Sequence, residues 1–327
     1  MRPSRRLPLR PPRLTPTAYR RITFVAGVLL ATIIVTGGAV RLTQSGLGCS
    51  DWPNCSPGHL VPHGASDVHG WVEYTNRLFT GAVSIAVIVA VLGSLARVPR
   101  RRDLVWLSVG LVVGVLAQIV LGALAVAFDL APPFVMAHFL LSLALLTNAI
   151  VLHKRAGESD ARARPQVRPP VRLLGRALLV TAACVVISGT VVTSTGPHGG
   201  DAKAKRFDLY LPHVARVHGS FVVLFLGLTL LTLWFLRRTR APFETVQRLG
   251  VLFAVSVAQG AIGYIQYFNG IPALLVGFHI AGATAVWAAT VHFYLGLFTR
   301  PAEAVVPGSE APGGAARETL APTPTPA

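Results

Sequence analysis

Charge is scarce in this sequence, and most of it has one sign. Asp, Glu, Lys and Arg make up 13% of the 327 residues, with 13 acidic side chains against 30 Lys and Arg, whereas 52% of residues are hydrophobic. A chain so short of charge cannot cover a water-facing surface, which excludes an ordinary soluble enzyme and turns its apolar faces to lipid. Its apolar stretches show no alternation of apolar and polar residues, which excludes a membrane barrel. The first of them has no small-residue cleavage site, so it reads as a retained helix rather than a leader.

What remains is long apolar runs. Eight are long enough to cross about 30 Å of hydrocarbon: residues 22–42, 72–96, 104–127, 134–153, 173–194, 213–236, 248–267 and 273–298. The expected fold class is therefore all-α, a polytopic membrane protein of eight transmembrane helices. The basic residues report its orientation. Arg41, Arg77, Lys203, Lys205, Arg206 and Arg216 fall on one side, and the other 24 of the 30 fall on the opposite side, many in the arm with Arg2, Arg5, Arg6, Arg10 and Arg13. The positive-inside rule then sets a cell-membrane protein with both termini cytoplasmic. The charge is a topology signal, and nucleic acid is not an expected partner. Residues 1–21 form a basic cytoplasmic arm, 154–172 a cytoplasmic linker, and 299–327, rich in Pro, Ala, Gly and Thr, a tail expected to be disordered.

The sequence repeats itself. Leu116-Ala117-Gln118-Ile119-Val120-Leu121-Gly122 resembles Val257-Ala258-Gln259-Gly260-Ala261-Ile262-Gly263 at an offset of 141, and His138 meets His279 at the same offset. Val72 to Leu78 falls on Val214 to Ser220 at 142, setting Asn76 opposite His218 and Glu73 opposite Ala215. The expected organisation is two pseudo-symmetric four-helix halves, 22–153 and 173–298. With four spans each, they share one orientation and are related by an axis along the membrane normal.

His138, His218 and His279 lie just inside the outer ends of helices 4, 6 and 8. A histidine there is either a hydrogen-bonded packing residue or a ligand turned inward. In the C-terminal half, His218 and His279 come from two helices of one bundle at similar depth, the arrangement by which bundles grip haem iron from both sides. Zinc would recruit Cys, Asp or Glu at close spacing, and none accompanies this pair. The N-terminal half keeps His138, has Asn76 in place of the second imidazole, and gains Glu73. Glu73 is either an i, i+4 partner of Arg77 or a carboxylate at a reaction chamber. Cys49 and Cys55 sit in the first outer loop, where the oxidising side makes a disulfide the default and a redox-active pair the alternative. Arg41, Arg77 and Arg216 lie at the same level, either snorkelling or receiving haem propionates.

The stretch Gly38-Ala39-Val40-Arg41-Leu42-Thr43, running into Ser45-Gly46-Leu47-Gly48-Cys49-Ser50-Asp51-Trp52-Pro53-Asn54-Cys55, and then Glu73-Tyr74-Thr75-Asn76-Arg77-Leu78, resembles the haem A synthase family over about residues 22 to 298. The resemblance implies oxidation of the C8 methyl of haem O to a formyl group, giving haem A for cytochrome oxidase. It implies a haem b cofactor held by His218 and His279, and substrate haem O near His138 and Asn76. It further implies Glu73 as the essential carboxylate, Cys49 and Cys55 as the outer-loop cysteine pair, and a haem O synthase as neighbour. Two departures stand out: many members have a histidine at the position of Asn76, which favours five-coordinate binding through His138, and some have a second cysteine pair where residues 195–212 have none. The rival classes are a b-type cytochrome passing electrons between quinol and a partner, and a parallel-repeat transporter. The transporter is disfavoured by helices without paired Gly/Pro breaks.

Overall fold

The computed structural model describes residues 13–49, 51–64 and 66–301. Arg2, Arg5, Arg6 and Arg10 of the basic arm, Arg317, and the stretch of the tail from 302 to 327 expected to be disordered lie outside the described residues. Among the described residues there are eight helices long and apolar enough to span a membrane: α1 Pro16–Leu42, α2 Val68–Ala96, α3 Arg102–Ala127, α4 Pro132–Ala156, α5 Pro169–Thr195, α6 Leu211–Arg238, α7 Phe243–Phe268 and α8 Ala273–Leu295. The protein is an all-α, multi-pass membrane protein. Its shortest spanning helix has 23 residues, or about 35 Å at 1.5 Å per residue, enough for the hydrocarbon layer.

Most helices begin a few residues before their apolar runs, because the capping chemistry lies outside the apolar stretch. Thr15 accepts from the Ala18 amide at 3.2 Å and Asp67 from the Gly70 amide at 2.9 Å, each satisfying an otherwise orphaned donor. Proline occupies the first turn of α1, α4, α5 and α6, where its missing N–H costs nothing. Helix α8 stops at Leu295, three residues before the end of its expected span at 298. Lys154 donates to the Leu295 carbonyl at 2.7 Å and to that of Phe298 at 3.2 Å, and Phe298–Thr299 (β2) turns away to pair antiparallel with Arg164–Pro165 (β1).

Helices α1 to α4 pack in a closed ring, as do α5 to α8, and the two bundles meet where α8 lies against α1 and α4, and α4 against α5. The cores repeat along with the sequence. Leu111 and Leu152 are fully buried in the first, and Leu252 and Phe293, each 141 positions later, are fully buried in the second. Trp287 of α8 fastens the bundles together, its indole N–H donating to Thr147 Oγ1 at 2.9 Å.

At one end, the connections from both halves interlock into a cap. The Gly46 amide donates to the Gly200 carbonyl at 2.8 Å and the Lys205 amide to that of Asp129 at 3.1 Å. Arg41 of α1 donates to the carbonyls of His198 at 2.6 Å and Thr193 at 2.9 Å. The His198 ring in turn donates from Nε2 to the Ile271 carbonyl at 2.8 Å. The loop after α5, which has no cysteine, is thus held by backbone hydrogen bonds together with one arginine and one histidine. At the other end, Arg101 and Arg155 converge on Asp103, the first at 2.7 Å, and tie α3 to the end of α4.

Candidate functional site

The imidazoles of His218 on α6 and His279 on α8 face each other inside the second bundle, with ring centroids 6.5 Å apart and planes at 76°. Two imidazoles bound to opposite sides of one iron, each through a metal–nitrogen bond of about 2 Å, have ring centres roughly 6 Å apart. The hydrogen bonds also suit ligation. His218 Nδ1 lies 3.1 Å from the Val185 carbonyl, which can only accept, so Nδ1 carries the proton and Nε2 presents a lone pair. Ser188 Oγ, itself donating to the Cys184 carbonyl at 2.7 Å, stands 3.2 Å from the same Nδ1. Bonding of this kind commonly fixes the ring of a histidine that binds a metal. Gln259 donates to the His279 carbonyl at 2.7 Å, and His279 Nδ1 is buried with no protein partner. Among the described residues no three His, Cys, Asp or Glu side chains gather as a metal site. The pair therefore suits a metal whose remaining bonds come from a macrocycle.

The first bundle repeats this arrangement with one exchange. Gln118 donates to the His138 carbonyl at 3.0 Å, and His138 Nδ1 is likewise buried without a partner. Where Ser188 meets His218, Thr36 donates to Asn76 Oδ1 at 2.9 Å. Ser188 stands 152 positions after Thr36 but His218 only 142 after Asn76. The ten-position difference is the extra length of the first loop, 25 residues between α1 and α2 against 15 between α5 and α6. Thr36, Ser188, Gln118 and Gln259 are the supporting residues that sequence reasoning missed. The two glutamines stand in the repeated segments already compared, so the repeat itself carried their signal.

Glycines line both pairs, but not equally. A Cβ on Gly263 would lie 2.8 Å from His279 Cε1, and one on Gly189 3.1 Å from His218 Cε1; on Gly122 it would lie 3.6 Å from His138 Cε1, and on Gly37, the neighbour of Thr36, it would meet nothing within 4 Å. The second bundle grips its imidazoles and the first leaves room around His138. On the expectation that the His218–His279 pair holds haem, Gly263→Ala should push the His279 ring off line and weaken haem retention, while Gly122→Ala is tolerated. Haem stoichiometry and the Soret spectrum of the two purified variants check this, and equal loss in both would contradict it.

Glu73 is buried and both of its oxygens are engaged. Oε2 accepts from the Cys49 amide at 2.8 Å, and Oε1 from Arg77 at 2.6 and 3.1 Å. Arg77 also donates to the carbonyls of Cys49 at 3.1 Å and Asn54 at 3.0 Å. Cys49 and Cys55 form a disulfide with both cysteines buried. The carboxylate, the guanidinium and the disulfide loop are thus one assembly over the mouth of the first bundle. Glu73 stands three residues before Asn76, on the same face of α2. Arg41 is committed to the cap, whereas the Arg216 side chain is exposed and makes no hydrogen bond or ion pair among the described residues. His69 stands 3.0 Å from Ser45 Oγ. His59 and His63 meet edge to face within the loop.

Residues 20–197 match the family described as cytochrome oxidase assembly protein (COX15-CtaA). Curated relatives include the heme A synthase of Exiguobacterium sibiricum, 31% identical over 50% of this chain and 55% of its own length. The heme A synthase of Bacillus licheniformis is 24% identical over 55% and 58%, and that of Alkalihalophilus pseudofirmus 27% identical over 86% and 97%. The chain thus spans a little over half the length of the first two of these relatives and nearly the whole of the third.

Proposed function

The chain belongs to the cytochrome oxidase assembly protein family, and on that premise we propose that it is a haem A synthase, an oxidoreductase that converts the C8 methyl of haem O to a formyl group. The observation that carries this reading is the inequality of two otherwise matching bundles. A chamber that clamps two imidazoles with close-packed glycines suits a resident group. A chamber with one histidine, more room and a buried carboxylate at its mouth suits a substrate that must enter and leave.

In this reading His218 and His279 would hold haem b, and His138 would bind the iron of substrate haem O in the chamber that Asn76 also lines. When bound, haem b supplies a one-electron carrier. His218 keeps its proton on Nδ1 through Val185 and Ser188, so Nε2 is available as a ligand. Glu73, fixed by the Cys49 amide and Arg77, either accepts a proton from the methyl carbon or stabilises positive charge developing on it. A preorganised carboxylate in a water-poor site does either more strongly than one in bulk water. The disulfide loop closes the chamber above it, and the exposed Arg216 is the guanidinium group most free to meet haem propionates. Arg41 donates to two carbonyls and keeps its remaining N–H groups, whereas Arg77 spends its donors on Glu73 and three loop carbonyls and has no capacity left for that role.

The N-terminal half, 22–153, is then the substrate chamber and the C-terminal half, 173–298, the cofactor chamber. Both open toward the outer face, with the termini cytoplasmic. A haem O synthase is the natural neighbour, because haem O is poorly soluble and passes most readily within the bilayer. Haem extraction from the purified protein tests the whole reading. Haem B together with haem O and haem A is expected. Haem B alone would make the protein a non-catalytic cytochrome, and no haem would leave the transporter reading.

A further inference from the structure

The position across from His138 is where the two bundles differ in chemistry rather than in packing. His218 and His279 answer each other across 6.5 Å, and the helices, glutamines and hydroxyls around them recur in the first bundle, so Asn76 stands where a second iron ligand would otherwise come. A carboxamide is a poor substitute. It reaches less far from the backbone than an imidazole, and it has no ring nitrogen lone pair to offer iron. Its carbonyl oxygen is already taken by the Thr36 hydroxyl at 2.9 Å. That contact leaves Nδ2, which donates to no residue among the described ones, as the part of the side chain free to act. The Gly37 side of the chamber has open space where Gly189 of the other bundle abuts His218.

We propose that Asn76 leaves the iron face opposite His138 open to a small ligand and, oriented by Thr36, donates a hydrogen bond to that ligand. Haem in the first bundle is then five-coordinate and reactive toward small molecules, whereas haem in the second is six-coordinate and closed. This rests on the reading of His138 as an iron ligand. It makes Asn76 a residue that determines what can approach the substrate iron, and Thr36 a positioning residue that acts through it.

Carbon monoxide is the probe, because it binds ferrous haem only where an axial position is open and its stretching frequency reports a nearby hydrogen-bond donor. In the full-length protein loaded with haem O, one high-spin, CO-binding haem and one low-spin, CO-inert haem are expected, and His138→Ala should remove the first. Asn76→His should convert that haem to low spin and abolish its CO binding. Asn76→Ala should keep CO binding but raise the C–O stretch as the donor is lost, and Thr36→Val should shift the stretch in the same direction without changing spin state. The b haem between His218 and His279 should be unchanged throughout, which shows that each variant is folded. If the haem removed by His138→Ala is already low-spin and CO-inert in the unaltered protein, or if Asn76→His leaves its spin state unchanged, the inference is overturned while the synthase reading stands. If His138→Ala removes no haem at all, both fall.

Discussion

Replacing His218 with Ala is expected to strip haem b from the purified protein while leaving the haem bound through His138 in place. Loss of a residue that merely orients a metal-bound histidine typically costs about 10–100-fold in metal affinity. Loss of the ligand itself should exceed that, and haem B extracted per protein should fall close to background. Ser188→Ala, which removes only the hydroxyl beside His218 Nδ1, should fall within the smaller range. His138→Ala should do the converse, sparing haem B and removing haem O and haem A. Each bundle has its own main core, and the shared cluster of Ile34, Leu143 and Leu146 with Val186 and Trp287 contains neither imidazole, so a truncated imidazole in one bundle should leave the other folded. Reduced-minus-oxidised spectra and haem extraction of the variants side by side are the measurement. If His138→Ala instead loses haem B, the assignment of the halves must be exchanged.

The fold was largely legible in the sequence, because hydropathy is read residue by residue and the lipid permits little else. Helix ends were less legible. Thr15, Asp67 and the first-turn prolines extend helices into polar sequence, and Lys154, distant in the chain, terminates α8. The candidate iron ligands could be picked out because titratable side chains in an apolar run are rare and the repeat aligned them. Their supports could not. Thr36 and Ser188 are ordinary residues within apolar helices, and only the fold brings them to Asn76 and His218. Arg41 shows the opposite limit: its position at a helix end offered snorkelling or a haem propionate, and the carbonyls it binds instead were not legible because they lie more than 150 positions away in the sequence. For Glu73 the sequence offered two readings, and the structure contains the pair with Arg77 together with a bond from the Cys49 amide that the sequence did not suggest.

The two readings of Glu73 predict different results. Glu73→Gln is expected to lower formation of haem A by at least about 100-fold, the lower bound of what a positioned acid or base contributes, with haem B content unaltered. The glutamine keeps the size of the side chain and one oxygen to accept from either Arg77 or the Cys49 amide. It removes the charge opposite a partly buried guanidinium, and leaving such a group short of a partner costs about 1–3 kcal/mol. The cap would loosen somewhat, and loosening alone could slow the enzyme. Arg77→Ala separates these effects. It too breaks the pair and releases three loop carbonyls, so it loosens the cap at least as much, yet it leaves the carboxylate and its bond from the Cys49 amide in place. If Glu73 acts only by holding the loop, the two variants should lose haem A to the same extent, in step with protease sensitivity of residues 43–67. If the carboxylate acts on the methyl, Glu73→Gln should fall far below Arg77→Ala even though its loop is the better protected. Glu73→Asp, which keeps the charge but withdraws it by one methylene, should fall between them. Normal haem A in Glu73→Gln would remove the carboxylate from the chemistry and leave it as the latch of the disulfide cap.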